Sequence, residues 1–155
     1  MVKVLFVCLG NICRSPMAEG LMRQYLAQNQ LVNVHVASAA TSTWEHGNPV
    51  HPGTKAILER EKIDTTQMFS TPIQASDFQE YDLIIGMDRQ NVRDLKARAP
   101  KQFQDKIYLY LDVVDQLKGK DVPDPWYTGD FEETYQLLHQ GLAPWLTKIK
   151  QLNEQ

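Results

Sequence analysis

The chain is expected to adopt an α/β fold in which helices cover both faces of a parallel sheet. Two observations predict this class. Segments typical of strands alternate along the chain with segments of helical periodicity. The strand segments, such as residues 2–7 and 81–87, are nearly continuous apolar runs, which is the pattern of strands buried on both faces. Ligands of such sheets bind beyond the carboxyl ends of the strands.

The first three segments are the best defined. Residues 2–7 are β-branched and aromatic, which predicts a buried strand. A helix is predicted from Ser15, with its hydroxyl at the N-cap and Pro16 in the first turn. It runs to about residue 28 with one apolar face. The alternating valines of residues 31–38 predict the second strand.

The middle of the chain is less regular. Turn residues are frequent at 41–52, which predicts a loop, and residues 53–62 read as a short helix. Residues 64–76 are expected to be irregular because Pro72 interrupts them, and one helical turn is predicted at 74–79.

A third buried strand is predicted at residues 81–87. Asp88 is placed to cap a helix that runs to about residue 97 and ends before Pro100. Residues 107–111 predict the fourth strand, and a long loop over residues 112–130 follows.

The last helix is predicted to open with a capping box formed by Asp130 and Glu133. Pro144 lies inside it and predicts a kink. Its apolar face comprises Phe131, Tyr135, Leu138, Leu142, Trp145, Ile149 and Leu152.

Length and composition predict a single domain over residues 1–155. The apolar content of 43% and the charged content of 23% are ordinary for a globular protein. A formal net charge of −3 gives no electrostatic basis for binding nucleic acid or an anionic membrane. No apolar run has the length of a membrane span. We expect a monomer, although no pattern in the chain fixes the oligomeric state.

Two cysteines, Cys8 and Cys13, lie in one loop and therefore cannot link distant parts of the fold. This usage fits a reducing cytosol and predicts a cytoplasmic protein. The segment before Cys8 is too short and too weakly basic for a signal peptide, and Arg14 follows it; export without a signal peptide stays open. The four histidines show no paired spacing, so no metal site is expected.

The loop of residues 8–14, named here the phosphate loop, carries the candidate active site. Between a strand and a helix, such a loop directs backbone N–H groups and the helix dipole into one concavity that suits a tetrahedral dianion. The same groups favour the thiolate of Cys8, a nucleophile, and the planar fork of Arg14 binds two oxygens at once. A buried cysteine after a strand is usually core packing. The order strand, C-x5-R-S, helix favours catalysis instead.

The other residues of the loop are expected to shape this concavity. Gly10 and Asn11 tolerate the positive φ that turns amides inward, and Ser15 is placed to donate to the Cys8 sulfur. Cys13 has two open roles, loop packing or a thiol that traps oxidised Cys8 as a disulfide. The predicted substrate-binding residues of this region are Leu9, Gly10, Asn11, Ile12, Cys13 and Ser15.

Residues 7–20, VCLGNICRSPMAEG, resemble the N-terminal signature of the low-molecular-weight protein tyrosine phosphatases. Four further stretches match, and the resemblance covers essentially the whole chain: SAAT at 38–41, GNP at 47–49, YDLIIGMD at 81–88 and VPDPWY at 122–127. It implies a three-layer, flavodoxin-like fold with strand order 2-1-3-4. It further implies hydrolysis of phosphotyrosine in protein substrates through a phosphocysteine on Cys8, and binding of inorganic phosphate or other oxyanions, without metal or cofactor.

The resemblance also assigns the remaining site residues. An Asp-Pro pair alone is typical of a turn, but the resemblance implies that Asp124 is the general acid and then the general base. It implies that Trp44 and Tyr127 wall a slot for a flat leaving group, and that Ser38 bonds Asn11 to shape the loop. Trp126 either joins this wall or packs on the surface. The roles of two further loop residues are open: His46 and Asn48.

One stretch departs from the family pattern. Residues 70–73 read STPI where the family often has a basic or polar segment, so the support beneath the acid loop is open. A related branch that hydrolyses phosphoarginine tends to have a small polar residue where this chain has Ile12.

Other function classes fit less well. The related thiol-dependent arsenate reductases need further cysteines near the third strand, which this chain lacks. Phosphocarrier subunits of sugar transport systems also have a phosphorylatable cysteine after the first strand, but Arg14 and Asp124 argue against transfer without hydrolysis. A phosphopeptide-binding module would not need both a nucleophile and an acid. A nucleotide-binding P-loop is excluded because its motif is absent from the sequence.

Overall fold

Four parallel strands form a central sheet in a computed structural model that describes residues 1–154. The strands follow one another as β1 Val2–Cys8, β2 Val34–Ala40, β3 Leu83–Gly86 and β4 Ile107–Leu109. Their order in the sheet is β2-β1-β3-β4, so β1 pairs with β2 on one side and β3 on the other. The parallel sheet and its order 2-1-3-4 are therefore confirmed. Cys8, the last residue of β1, lies at the carboxyl edge of this sheet.

Helices cover both faces of the sheet. Val4 and Phe6 of β1 belong to a core with the helices near the chain termini, whereas Leu5 and Val7 point to the opposite core. This alternation confirms the three-layer architecture, because successive residues of a strand face opposite sides. The helices are α1 Arg14–Gln28, α2 Pro52–Arg60, α3 Asp77–Glu80, α4 Arg89–Arg98, α5 Pro125–Thr128 and α6 Phe131–Asn153.

Helix α6 is anchored to the end of β4 by two buried aromatic residues. Trp145 Nε1 donates to the Tyr110 carbonyl at 3.0 Å, and the Tyr110 hydroxyl donates to the Leu138 carbonyl at 2.6 Å. The helix continues through Pro144, and the kink expected there stays a prediction. Four residues of its predicted apolar face are fully or almost fully buried: Leu138, Leu142, Trp145 and Ile149.

Several predicted boundaries were wrong, and strand pairing explains the largest error. Strand β2 begins at Val34 rather than at residue 31, because Val34 is opposite Val2, the first residue of β1. Upstream residues have no strand to pair with, and Val32 is 91% exposed. Strand β4 ends early because the chain turns into a 3₁₀ helix at Tyr110–Val113.

The predicted long loop after β4 contains helical structure that the sequence analysis missed. Two 3₁₀ turns, Tyr110–Val113 and Asp115–Leu117, are followed by α5. Asp124 caps α5 and Pro125 occupies its first turn, a pairing that the sequence displays. Within residues 1–154, no helix is both long and apolar enough to cross a membrane.

Candidate active site

Cys8 lies at the floor of a cavity at the carboxyl end of β1. Its sulfur is 3.2 Å from the Asn11 backbone nitrogen, which donates to it, and 3.0 Å from the Ser15 hydroxyl. Only 3% of Cys8 is exposed, yet it lines the cavity. Donors directed at a sulfur atom stabilise its anionic form. The Cys8 sulfur is therefore held by hydrogen bonds at the floor of the cavity.

Ser15 does not cap the first helix, so that prediction was wrong. Helix α1 begins at Arg14, its N-cap residue is Cys13, and no side chain accepts a hydrogen bond there. The Ser15 hydroxyl is engaged by Cys8 and by Asn11 Nδ2, which donates to it at 2.8 Å. The N–H groups of the first turn have no acceptor within the helix, and they begin beside Cys8, where an anion would use them.

Asn11 holds the phosphate loop in shape. Its φ of 57° is the only positive φ within the described residues 8–14, so the same expectation for Gly10 was wrong. Its Nδ2 also donates to Ser38 Oγ at 2.9 Å, the contact that the resemblance implies. Its Oδ1 accepts the Thr71 N–H at 2.9 Å. A buried amide with three hydrogen bonds fixes the backbone around it.

The network behind the loop extends to residues that the sequence analysis did not select. Ser38 Oγ donates to Glu19 Oε1 at 2.6 Å, and Glu19 also pairs with Arg23. Ser70 Oγ donates to the Gly10 carbonyl at 2.7 Å. The segment 70–73, which departs from the family pattern, therefore supports the phosphate loop directly.

Arg14 is a buried cation with several anionic neighbours. Its Nη1 donates to Asp88 Oδ2 at 2.7 Å and to the Val122 carbonyl at 2.9 Å, and its Nη2 lies 3.4 Å from Asp124 Oδ2. Burial lowers the pKa of Arg14, but the charges of Cys8, Asp124 and Asp88 outweigh burial, so the pKa lies above its usual value. No atom within residues 1–154 accepts the buried Nε–H of Arg14.

Asp88 is a site residue that the sequence analysis treated only as a helix cap. It does cap α4, since Asp88 Oδ1 accepts the Asn91 N–H at 2.7 Å and Asn91 Oδ1 accepts the Asp88 N–H at 3.2 Å. Its second oxygen holds Arg14. Its place in the sequence could have indicated this role, because Asp88 follows β3 and the carboxyl end of β3 lies beside that of β1.

Asp124 reaches the site through the end of β3. The Val122 N–H donates to the Met87 carbonyl at 2.9 Å, which fixes the chain just before the aspartate. Asp124 Oδ1 accepts the Trp126 N–H at 3.1 Å, while Oδ2 faces Arg14. The carboxyl group is thus held between the helix α5 that it caps and the guanidinium group.

A cavity of about 150 Å³ joins these residues to an aromatic rim. Trp44, Trp126 and Tyr127 are each more than half exposed and stand at its mouth, so Trp126 lies in the lining of the cavity. Glu45 also lines the cavity and was not predicted. Three predicted residues lie behind the lining: Asn11, Ser15 and Ser38. The two loop residues of open role, His46 and Asn48, are exposed and lie outside the lining. The predicted residues in the lining are Cys8, Leu9, Gly10, Ile12, Cys13, Arg14, Trp44, Asp124, Trp126 and Tyr127.

Cys13 differs chemically from Cys8, although both are free cysteines. Burial, and then the negative charge of Cys8, raise the pKa of the Cys13 thiol from 9.0 to about 12. Cys13 therefore remains a protonated thiol near neutral pH. Its backbone carbonyl accepts the Thr54 hydroxyl at 2.9 Å, which joins the phosphate loop to α2.

The chain is similar to known proteins over almost all of its length. The profile of the family described as low molecular weight phosphotyrosine protein phosphatase matches residues 3–155. The low molecular weight protein-tyrosine-phosphatase YfkJ of Bacillus subtilis is 42% identical over 151 residues, which cover 97% of each chain. The crystal structure of YfkJ matches with a TM-score of 0.93 over 97% of this chain and 96% of that one.

Two further solved structures are informative. The low molecular weight protein tyrosine phosphatase of Streptococcus pyogenes is 49% identical, with a TM-score of 0.82 over 96% of this chain and 93% of that one. A drosophila arginine phosphatase is 28% identical, with a TM-score of 0.88 over 96% of this chain and 98% of that one. Given these matches and the site at the end of β1, the chain belongs to the low molecular weight phosphotyrosine protein phosphatase family and is a protein-tyrosine phosphatase.

Proposed function

We propose that residues 1–155 act as one phosphatase domain in which Cys8 is the nucleophile. The thiolate attacks phosphorus, an S–P bond forms, and the bond from phosphorus to the tyrosyl oxygen breaks. Asp124 transfers its proton to that oxygen, so that a neutral phenol leaves. Water then attacks the phosphocysteine, Asp124 accepts a proton from it, and inorganic phosphate departs with the thiolate restored.

The buried Arg14 is the observation that carries this proposal. It is 2% exposed and its Nε–H has no acceptor within residues 1–154. An unsatisfied buried donor costs about 1–3 kcal/mol, which an anion in the phosphate loop would recover. Asp88 and Val122 bind Nη1, and Asp124 lies 3.4 Å from Nη2. The Nε–H and the second N–H of Nη2 can then donate to two phosphate oxygens. The charge that grows in the transition state is then stabilised by groups already in place.

Asp124 is suited to both proton transfers by its position. In the free site its Oδ2 faces the Arg14 guanidinium group. A phosphate bound to that guanidinium group stands beside the carboxyl group, which places Asp124 within reach of the leaving oxygen. After the phenol leaves, the same carboxylate lines the cavity with Cys8 and can accept a proton from the attacking water.

Phosphotyrosine is proposed over phosphoarginine because aliphatic and aromatic side chains predominate in the cavity above the phosphate loop, where Glu45 also contributes a carboxylate. Ile12 lines it, with Trp44 and Tyr127 at the mouth. An aromatic pair contributes roughly 0.5–1.5 kcal/mol beyond its buried area. The arginine phosphatase of drosophila shares this fold, so the fold does not decide between the two substrates, and the walls of the cavity must.

Replacement of Cys8 and Asp124 tests the proposed mechanism. Cys8→Ser is expected to abolish release of phosphate from aryl phosphates yet to retain binding of phosphate or vanadate, because Arg14 and the loop amides remain. Asp124→Asn should lower kcat/KM for phenyl phosphate by about 10²–10⁴-fold and affect p-nitrophenyl phosphate much less, since its leaving group needs less protonation. An acid-stable phosphoryl label on any residue other than Cys8 would overturn the assignment.

A further inference from the structure

His51 connects three separate parts of the site. It precedes α2, and its backbone N–H donates to the Ile12 carbonyl of the phosphate loop at 2.9 Å. Its imidazole Nδ1 accepts the Gly53 N–H at 3.0 Å and so caps α2. Backbone and side chain are thus both fixed, which makes His51 a rigid point beside the phosphate loop.

The imidazole ring lies between two aromatic rings. The ring of Trp126 meets it edge to face, with centroids 5.7 Å apart and planes at 82°. The ring of Phe131, the first residue of α6, stacks on it at 4.9 Å and 21°. Gly53 permits this stacking, because a Cβ there would lie 2.4 Å from the Phe131 ring.

Trp126 in turn holds the carboxyl group of Asp124. Its backbone N–H donates to Asp124 Oδ1 at 3.1 Å. Its side chain is 56% exposed, so only part of its surface is available for packing, and His51 packs against it there. The positions of Trp126 and Asp124 therefore depend on the packing contact with His51, whose backbone N–H is bonded to the phosphate loop.

We propose that His51 is a positioning residue for proton transfer: it fixes Trp126, and through Trp126 the carboxyl group of Asp124, relative to the phosphate loop. The proposal rests on the role of Asp124 proposed above. His51 itself is outside the lining of the cavity and does not touch the reacting atoms. A displacement of about 1 Å is enough to cost up to 10²-fold in rate, so a loosened Trp126 should weaken the acid without abolishing binding.

Two variants separate the packing of the His51 ring from the role of its Nδ1 atom as the cap of α2. His51→Asn keeps an acceptor for the Gly53 N–H but removes the ring, whereas His51→Phe keeps a ring and removes the acceptor. We expect His51→Asn to lower kcat/KM for phenyl phosphate by about tenfold, which is a part of the 10²–10⁴-fold acceleration that a general acid supplies. The kcat/KM for p-nitrophenyl phosphate should change little. His51→Phe should retain activity on phenyl phosphate while its Tm falls.

A double-variant cycle decides whether His51 acts through Asp124. In an Asp124→Asn background the effect of His51→Asn should vanish, because the acid that it positions is gone. His139→Asn, an exposed histidine on α6, is the matched control and should behave as wild type. If His51→Asn does not fold, His51→Phe is compared with His51→Leu, since both lack the acceptor and only the leucine lacks a ring.

The outcomes separate the two proposals. Equal slowing of both substrates by His51→Asn, or an undiminished effect in the Asp124→Asn background, would overturn the role of His51 and leave Asp124 as the acid. If Asp124→Asn itself slows both substrates equally, Asp124 is not the acid, and the positioning role of His51 falls with it.

Discussion

At the scale of single residues, the two cysteines of the site differ chemically because the groups around them differ. The Cys8 sulfur accepts the Asn11 N–H and shares a hydrogen bond with the Ser15 hydroxyl, whereas Cys13 lies buried beside the charge of Cys8. Their separation of five positions placed both in one loop, but position along the chain does not show which sulfur faces donors. The electrostatic difference between the two thiols therefore appears only in the structure, because it comes from the groups around each sulfur and not from their spacing in the sequence.

The raised pKa of Cys13 predicts a loss of stability in alkali. Below about pH 9 the thiol is protonated in both the folded and the unfolded chain, so its full contribution to the free energy of unfolding is present there. Above that pH the unfolded chain releases the proton while the folded chain keeps it, up to a pKa of about 12. The free energy of unfolding should then fall by about 1.4 kcal/mol per pH unit from this group.

Urea unfolding of wild type and Cys13→Ser at several pH values measures this effect. Serine does not titrate there, so the variant should lose less stability between about pH 9 and pH 12. Burial also raises the pKa of Tyr110, but that contribution is common to both proteins and cancels in the difference. Parallel curves for the two proteins would show that burial of Cys13 does not shift its titration.

At the scale of elements, the ends of helices and strands build the site, and there sequence reasoning was least accurate. The order strand, loop, helix was correct for residues 2–28, but Ser15 was taken as a cap. Local preference favours a serine hydroxyl at an N-cap, while the tertiary contact with Cys8 takes that hydroxyl instead. Asp88 was recognised as a cap because capping is local, and its bond to Arg14 was missed because the two lie 74 positions apart.

Asp88 therefore has two functions that substitution should separate. Asp88→Asn retains a capping residue for α4 but removes the negative charge beside Arg14. A hydrogen bond to a charged group is worth about 1.5–3 kcal/mol, so kcat/KM for an aryl phosphate should fall roughly tenfold or more. The inhibition constant for inorganic phosphate should rise in parallel, because Arg14 is less well oriented to bind it.

Asp88→Ala provides the comparison. It lacks the cap as well, so its Tm should fall below that of Asp88→Asn by an amount that corresponds to about 1 kcal/mol. If Asp88→Asn instead has wild-type kinetics and only Asp88→Ala is impaired, the residue is a helix cap and no more.

At the scale of the whole molecule, the walls of the cavity come from parts of the chain that only the complete fold unites. Ile12 follows β1, Trp44 follows β2, and Tyr127 lies in α5 after β4. Strand order brings the ends of β2, β1 and β3 side by side. The sequence showed which segments carry aromatic residues, and the resemblance supplied their arrangement. Periodicity alone gives no strand order, because it is a property of each segment and not of the pairs they form.

The depth and walls of the cavity predict substrate choice. Cys8 at the floor is 3% exposed, while Tyr127 at the mouth is 78% exposed. We therefore expect the short side chain of phosphoserine to present its phosphate to the sulfur less well than the longer side chain of phosphotyrosine. On matched phosphopeptides, kcat/KM should be highest for phosphotyrosine. Tyr127→Ala should lower it selectively for phosphotyrosine, by roughly the 0.5–1.5 kcal/mol of one aromatic contact. Ile12→Thr should raise relative activity on phosphoarginine, because a hydroxyl then faces the polar guanidinium group. A wild type that prefers phosphoarginine would refute this choice and leave the chemistry of Cys8 intact.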